Sequence, residues 1–258
     1  MKNILPLLSI IILIGCKKNL NSSLIYEGER HFKNIKQITF GGDNAEAYWS
    51  FDDKNLVFQS NYNEWGVECD QMFLMNVDES FEINTPKMLS TGNGRTTCSY
   101  FMPDNKHILY ASTHENNKLC PETPLRVDGN YVWPIYDSYD IYVSDLDGNI
   151  VNKLTKEKGY DAEATVSPKG DKIVFTSDRS GDLELYTMNI DGSDVKQITN
   201  ELGYDGGAFF SPDGSKLIFR ASRPETKKEI DEYKRLLSEG LVKPTEMELF
   251  ICDSDGSN

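Results

Sequence analysis

The sequence predicts an all-β protein, a β-propeller built from four-stranded blades. A segment of about 40 to 45 residues, the length of a propeller blade, repeats along the chain, with Pro168 and Pro212 at equivalent positions in the two clearest copies. Each copy is predicted to form four short strands joined by tight turns rich in Gly and Asp. The strands are also apolar on both faces, which a sheet packed between two neighbouring sheets requires.

Residues 161–199 serve as the template for the repeat. They contain a first strand ending at a Ser-Pro turn, strands at 172–177 and 183–190, an Asp-Gly turn and a closing strand at 195–199. Four copies fit this template, and they cover residues 47–90, 98–155, 161–199 and 207–257. The sequence therefore shows four blades.

The third copy illustrates the packing that is expected. Ile173 and Phe175 point to one face of their strand, whereas Val174 and Thr176 point to the other. A β-sandwich would leave one face of each strand polar. Blades arranged radially account for both the repeat length and the apolar faces.

The motifs of the third and fourth copies, "YD", "SPKGDKIVF", "SPDGSKLIF", "LY" and "DG", resemble the repeat of TolB-type propellers. The resemblance covers about residues 35–258. It implies a protein of the bacterial periplasm that binds a protein or a peptidoglycan-associated partner. It is specific for the fold and much less so for the function, because similar blades also accompany catalytic domains.

The number of blades is predicted to be larger than four. Residues 35–39 (IKQIT) duplicate the closing strand at 195–199 (VKQIT), and the fourth copy stops where its own closing strand should follow. The isolated N-terminal strand could complete the last blade, which would close a four-bladed ring. The resemblance to TolB-type propellers implies a ring of six blades. We therefore expect this chain to be part of a propeller of six or more blades.

The N-terminus is predicted to be a lipoprotein signal peptide, residues 1–15. Its apolar run at 4–14 is too short to span a membrane, which takes about 20 residues. The tetrad LIGC at 13–16 resembles the lipobox, which implies lipidation of Cys16. The alternative is an ordinary signal peptide with an incidental cysteine. Residues 16–34 are predicted to be the lipidated Cys and a polar tether, which places the chain in the cell envelope, facing the periplasm from the outer membrane.

Composition and motifs argue against several functions. The chain has 41 acidic and 27 basic residues, a formal net charge of −14, and no basic cluster beside stacking aromatic residues, which argues against nucleic-acid binding. No G-x-S-x-G motif is present, and the three histidines lack the spacing of metal ligands. The Asp-Gly turns lack the further ligands of a calcium loop. We therefore expect no enzymatic activity in this chain, no metal and no cofactor.

Five polar residues are predicted at the start of the innermost strands, near the mouth of the central channel: Asn44, Glu46, Asp161, Glu163 and Asp205. Carboxylates gathered there would favour a cationic ligand or a metal. These residues are the candidate site for a ligand or partner.

Arg179 and Arg223 occupy one position of the repeat. They could form part of a ring of guanidinium groups that faces a ligand. The favoured interpretation is structural, with each arginine paired to a carboxylate or a carbonyl group of its own region.

Two insertions, residues 113–138 and 224–244, separate the second and third strands of their blades. The second insertion is predicted to contain a helix, with Thr226 and Glu229 as a capping box and Gly240 at its end. Both insertions project from one face of the propeller. Either they present a binding surface or the helix packs only on its own blade.

The remaining cysteines divide into two groups. Cys69, Cys98 and Cys120 map to the face that carries the insertions, so one disulfide is expected among them, with the pairing open. Cys252 falls in an apolar strand position that Met75 and Met188 hold elsewhere, which predicts a buried free thiol.

Three functions remain at this point. The first is a non-catalytic, membrane-tethered propeller that binds an envelope protein or a peptidoglycan-associated partner. The second is the propeller portion of an exported peptidase or other hydrolase, where it would gate or position the substrate. The third is the binding of a small molecule or glycan in the channel.

Overall fold

The computed structural model describes residues 25–33, 35–76, 85–124, 126–244 and 246–258. The predicted signal peptide and the lipidation site Cys16 lie outside these residues. The chain divides into two compact units, Met1–Ile38 and Thr39–Asn258. In the first unit, the amide of Glu29 donates a hydrogen bond to the carbonyl of Tyr26 and closes a turn. Within the part of the chain that is described, no helix has the length and apolar character needed to cross a membrane.

Among the described residues, the second unit contains four antiparallel sheets of three or four strands, which we call blades 1 to 4, and two sheets of two strands. In blade 1 the strands are β1 (Asn44–Trp49), β2 (Asn55–Ser60), β3 (Gln71–Asn76) and β4 (Lys87–Met88), in that spatial order. Blade 2 consists of β5 (Thr96–Phe101), β6 (His107–Ser112), β10 (Asp140–Asp145) and β11 (Ile150–Lys153), and between its second and third strands lie β7 (Arg126–Val127), β8 (Asn130–Tyr131) and β9 (Trp133–Pro134).

Blades 3 and 4 follow the same plan. Blade 3 consists of β12 (Asp161–Val166), β13 (Lys172–Ser177), β14 (Glu184–Asn189) and β15 (Lys196–Gln197). Blade 4 consists of β16 (Asp205–Phe210), β17 (Lys216–Ala221) and β19 (Glu248–Asp253), with the helix α1 (Lys227–Ser238) and the strand β18 (Leu241–Val242) inserted before β19. The first strands of blades 1 to 4 lie side by side as the innermost strands. The predicted propeller of four-stranded blades is confirmed.

Blade 4 has three strands among the described residues. Residues 35–39, which repeat the sequence of a closing strand, form no strand.

The hairpin between the first two strands of each blade depends on one left-handed residue. In blade 3, the amide of Gly170 donates to the carbonyl of Ser167 over 2.9 Å, and Gly170 has φ 71°. Gly214 has the same φ in blade 4, while Asp53 and Asn105 take the position in blades 1 and 2. Gly, Asn and Asp tolerate this conformation best, which is why the turn motif is so regular in the sequence.

The hydrophobic core lies between the blades. Ile173 and Phe175 of β13 pack with Leu109 and Ile141 of blade 2, whereas Val174 on the opposite face packs with blade 4. All three β13 side chains are fully buried. Burying one such side chain contributes about 1.5–3 kcal/mol, so each blade depends on its neighbours for stability.

The two insertions join each other. β9 and β18 pair antiparallel, with Val242 opposite Trp133, and the carbonyl of Gly240 accepts a hydrogen bond from Ile135 over 2.6 Å. The helix α1 has the expected capping box, formed by Thr226. We call the joined segments 113–138 and 224–244 the roof.

Candidate functional site

Each innermost strand carries a β-bulge at its third residue. The register shifts between the second and fifth residues of β1, β5, β12 and β16. The bulged residues are Glu46 (φ 51°), Cys98 (φ 49°), Glu163 (φ 57°) and Gly207 (φ 60°), which we call the bulge ring. A non-glycine residue in this conformation costs about 1–3 kcal/mol, and strain of this kind is concentrated at functional sites.

Above the bulge ring lies a cavity of about 610 Å³, which we call the mouth cavity. Its walls come from the innermost strands of blades 1 to 3, from β17 and from the roof. The charged residues that line it are Asp43, Glu46, Asp70, Arg95, Glu163 and Arg220. The aromatic residues that line it are Tyr131, Trp133, Tyr136, Tyr139 and Tyr160.

Glu163 is held by neighbouring donors on both carboxylate oxygens. Its Oε1 accepts from the Tyr160 hydroxyl at 3.2 Å, and its Oε2 accepts from the Tyr204 hydroxyl and the Gly207 amide, both at 2.6 Å. Glu163 is only 8% exposed. A Cβ at Gly206 would lie 2.1 Å from the Tyr204 hydroxyl oxygen, so this arrangement also requires a glycine there. Glu163 therefore ties blade 3 to blade 4 and has its hydrogen-bonding capacity largely used.

Glu46 occupies the equivalent position in blade 1 but has a different environment. It is exposed, and its Oε2 accepts one hydrogen bond from the Tyr48 hydroxyl at 2.6 Å. Nearby, the Asp43 carboxylate accepts from the Asn61 side chain at 3.0 Å. Of the described residues, no Lys, Arg or His forms an ion pair with either carboxylate. Neither carboxylate is thus directly paired with a cationic side chain of the described residues.

The field at the bulge ring is negative. Burial raises the pKa of the Cys98 thiol, and the carboxylates of Glu163 and Glu46 raise it further. Burial and the adjacent Glu46 also raise the pKa of Tyr48. Both groups stay neutral at ordinary pH, so they add no charge to the four carboxylates and two guanidinium groups that line the mouth cavity.

The mouth cavity is also lined by Arg220, whose ion pair with Glu163 is long. The guanidinium carbon of Arg220 lies 4.8 Å from the centre of the Trp133 ring and 5.7 Å from that of Tyr204. Its Nη2 is 3.9 Å from Glu163 Oε2. By contrast, Arg95 forms an ion pair with Asp70. Arg220 is therefore positioned by stacking on an aromatic ring of the roof.

Three of the five residues predicted at the mouth lie elsewhere. Asp161 and Asp205 are buried, and their carboxylates accept from Arg179 (Nη2 to Oδ1, 2.8 Å) and from Arg223 respectively. The Asn44 amide group donates to the carbonyl of Gly41 at 2.9 Å and to that of Gly42 at 3.2 Å. None of the three lines the mouth cavity, whereas Glu46 and Glu163 do. The structure thus separates the predicted set into two cavity carboxylates, two internal ion pairs and one loop contact.

Sequence reasoning did not identify Cys98, Gly207 or Arg220 as members of this site. Cys98 and Gly207 could have been found in the alignment of the repeats, where they occupy the same position as Glu46 and Glu163. The signal for Arg220 is that it replaces Thr176 of blade 3 in a slot that is otherwise small or uncharged.

The disulfide joins Cys69 and Cys120, with a Cα–Cα distance of 6.0 Å. It connects the loop before β3 to the first insertion and so anchors the roof to blade 1. Cys98 and Cys252 are free, and Cys252 is buried. A disulfide among the three predicted cysteines is therefore present.

The described residues include no group of three or more His, Cys, Asp or Glu side chains placed to hold a metal ion. A second concavity, of about 830 Å³, lies on the outer side of the roof. It is lined by apolar residues from both insertions, with acidic residues among them: Glu122, Pro124, Pro134, Ile135, Tyr136, Asp137, Leu237, Glu239 and Leu241. We call it the outer groove.

Comparison with known proteins agrees with this architecture. Residues 135–242 match the family model described as the TolB beta propeller domain (PD40). The structure of TolB from Acinetobacter baumannii is 18% identical over 84% of this chain and 42% of that chain, with a TM-score of 0.54. This chain thus spans less than half the length of that protein.

Two further structures are similar at a lower level. A putative TolB from Agrobacterium tumefaciens is 20% identical over 84% of this chain and 79% of that chain, with a TM-score of 0.43. A chain of a nidogen/laminin complex is 12% identical over 79% of this chain and 62% of that chain, with a TM-score of 0.46. Residues 135–242 thus match the TolB-type repeat that the sequence predicts, and the four blades together with the Acinetobacter similarity confirm the β-propeller fold.

Proposed function

We propose that this chain is a non-catalytic binding propeller of the bacterial cell envelope, and that its mouth cavity receives a basic segment of a protein partner. The observation that carries the proposal is that Glu46 and Asp43, in a cavity with aromatic walls, form no ion pair with a described residue. A Lys or Arg side chain that entered would meet two negative charges and the faces of Tyr131 and Trp133.

The electrostatics of the whole chain support a basic partner. The formal net charge of −14 favours the approach of cations over long range and at low salt. Four carboxylates and two guanidinium groups line the mouth cavity, so its charged lining is also negative in sum. Long-range attraction and local pairing therefore select the same class of ligand.

The roof supports a macromolecular partner. The two insertions and the Cys69–Cys120 disulfide form a braced structure beside the mouth cavity, with the outer groove on its other side. A partner segment that enters the mouth cavity would bring adjoining parts of the partner close to this groove. An extended contact of this kind suits a protein better than a small metabolite.

The proposed location rests on the N-terminal sequence. The LIGC tetrad at residues 13–16 follows a short apolar run, as in bacterial lipoproteins, and TolB-type blades are found in periplasmic proteins. We propose that Cys16 carries the lipid and that residues 17–34 tether the propeller to the outer membrane, facing the periplasm. Cys16→Ala removes the proposed lipidation site. When cells that express this variant are fractionated, we expect the protein in the soluble periplasmic fraction.

The proposal that the chain is non-catalytic rests on its residues. Glu163 has its oxygens occupied by donors, the pKa of Cys98 is raised by burial, and the chain has no nucleophile elbow. A site built this way favours binding over proton transfer or nucleophilic attack.

Cross-linking in intact envelopes tests the function. The wild-type lipoprotein is compared with Glu46→Gln, Asp43→Asn and the control Glu201→Gln, which removes an exposed charge outside the cavities described above. We expect one defined protein to be captured by the wild type and the control, and to be reduced at least about fivefold in the two site variants. Equal capture by all four forms would contradict the mouth cavity as the binding site.

A further inference from the structure

Arg220 retains hydrogen-bonding capacity that the protein does not use. Its Nη2 donates to the Tyr204 hydroxyl at 3.3 Å, and its Nε is buried with no partner among the described residues. Its side chain is 40% exposed. The guanidinium is stacked on the Trp133 ring, and Arg220 lines the mouth cavity.

Glu163 does not use these donors either. The distance of 3.9 Å from Arg220 Nη2 is beyond hydrogen-bond reach, and Glu163 Oε2 already accepts from the Tyr204 hydroxyl and the Gly207 amide. Glu163 balances part of the charge of Arg220 without occupying its donors. A ligand carboxylate could therefore take the free edge of the guanidinium.

Glu46 presents the opposite charge to the same space. Glu46 and Arg220 both line the mouth cavity, and both also line two smaller cavities of about 30 and 340 Å³ beside it. They form no ion pair with each other. Two opposite charges thus line the same cavities without being paired to each other.

We propose that the mouth cavity is a site for a zwitterion, with the ligand carboxylate on Arg220 and the ligand ammonium group on Glu46. The inference rests on the proposed function, because it specifies which charged end of a partner is bound. A ligand with an ammonium group alone would place its charge in the field of Arg220, whereas a carboxylate on the same molecule removes that repulsion. A peptide ending in lysine and a free basic amino acid share this chemistry.

Calorimetry on the full chain, purified in detergent, tests the proposal with one dipeptide in four forms. N-acetyl-Tyr-Lys has one carboxylate and one ammonium group, and its C-terminal amide, its Nε-acetyl derivative and the doubly capped form remove each charge in turn. We expect the zwitterionic form to bind best, with a loss of about tenfold or more when either charge is removed. Free lysine as a fifth ligand distinguishes a free amino acid from a peptide end.

Variants assign each charge to its residue. In Arg220→Gln, the acid and amide forms should bind equally; in Glu46→Gln, the free and acetylated amines should bind equally. Arg220→Lys keeps the charge but not the planar donor pair, so this variant should retain only part of the preference for the dipeptide acid over its amide. Circular dichroism checks that each variant is folded.

The outcomes separate this inference from the proposed function. If the amide binds the wild type as tightly as the acid, the zwitterion site is wrong while a basic partner remains supported. If no form binds at millimolar concentration, the zwitterion site is also wrong, and the cross-linking experiment decides the proposed function independently.

Discussion

Blades 3 and 4 share one repeat, yet equivalent side chains have opposite environments. Val174 and Leu185 of blade 3 are fully buried, whereas their counterparts in blade 4, Ile218 and Leu249, are 43% and 74% exposed. The face of blade 4 that looks away from blade 3 is apolar without being covered by a further blade among the described residues. The comparison teaches that the repeat encodes a two-sided sheet, and that burial depends on the neighbour on each side.

The same contrast appears at the bulge ring. Glu163 is enclosed by Tyr160, Tyr204 and the Gly207 amide, while Glu46 has only the Tyr48 hydroxyl. Both occupy the same strained position of the repeat. One repeated position therefore serves as a structural link in blade 3 and as an open charge in blade 1.

The largest effect is expected from one substitution made in both blades. Leu185→Ala removes a side chain packed against Val174 and Leu217, and should lower the free energy of unfolding by about 2–5 kcal/mol. Leu249→Ala should change it by less than about 0.5 kcal/mol, because Leu249 is largely solvated. Urea unfolding followed by fluorescence measures both. Equal losses would mean that the outer face of blade 4 is covered in solution.

The sequence was sufficient for the fold because the repeat specifies it locally. Turn residues such as Gly170 and Gly214 need a left-handed backbone, and strands such as β13 need cover on both faces. A short segment of sequence is enough to specify each of these requirements, and the same segment recurs in each copy of the repeat.

The site was only partly predictable, because it depends on contacts between distant segments. Glu46 and Glu163 could be found from their column in the alignment. The roof could not, since β9 and β18 are about one hundred residues apart in the chain and only two residues of each pair. Asp161 and Asp205 begin innermost strands, two residues before the bulge, but each accepts from an arginine after the next strand, which strand position alone does not reveal.

A smaller effect is expected from removing one hydroxyl at each glutamate. Tyr204→Phe deletes the 2.6 Å hydrogen bond to the buried Glu163 and should lower the free energy of unfolding by about 1–3 kcal/mol. Tyr48→Phe deletes a bond of equal length to the exposed Glu46, where water replaces the lost donor, so the change should stay below about 0.5 kcal/mol. Urea unfolding at pH 7 compares them. A larger loss in Tyr48→Phe would reverse the assignment of the two glutamates.

A difference of another kind should appear in the pH dependence of stability. Burial raises the pKa of Glu184 from its ordinary 4.5 to about 8, the nearby Asp205 carboxylate adding to the effect, whereas its blade 4 counterpart Glu248 is exposed. Because the folded state holds this proton more tightly than the unfolded state, stability should fall as pH rises from about 4.5 to about 8. Glu184→Gln should make that fall shallower by up to ~1.4 kcal/mol per pH unit, and Glu248→Gln should leave it unchanged. Urea unfolding from pH 5 to 9 measures the slopes, and a Glu184→Gln slope equal to that of the wild type would show that Glu184 is solvated like Glu248.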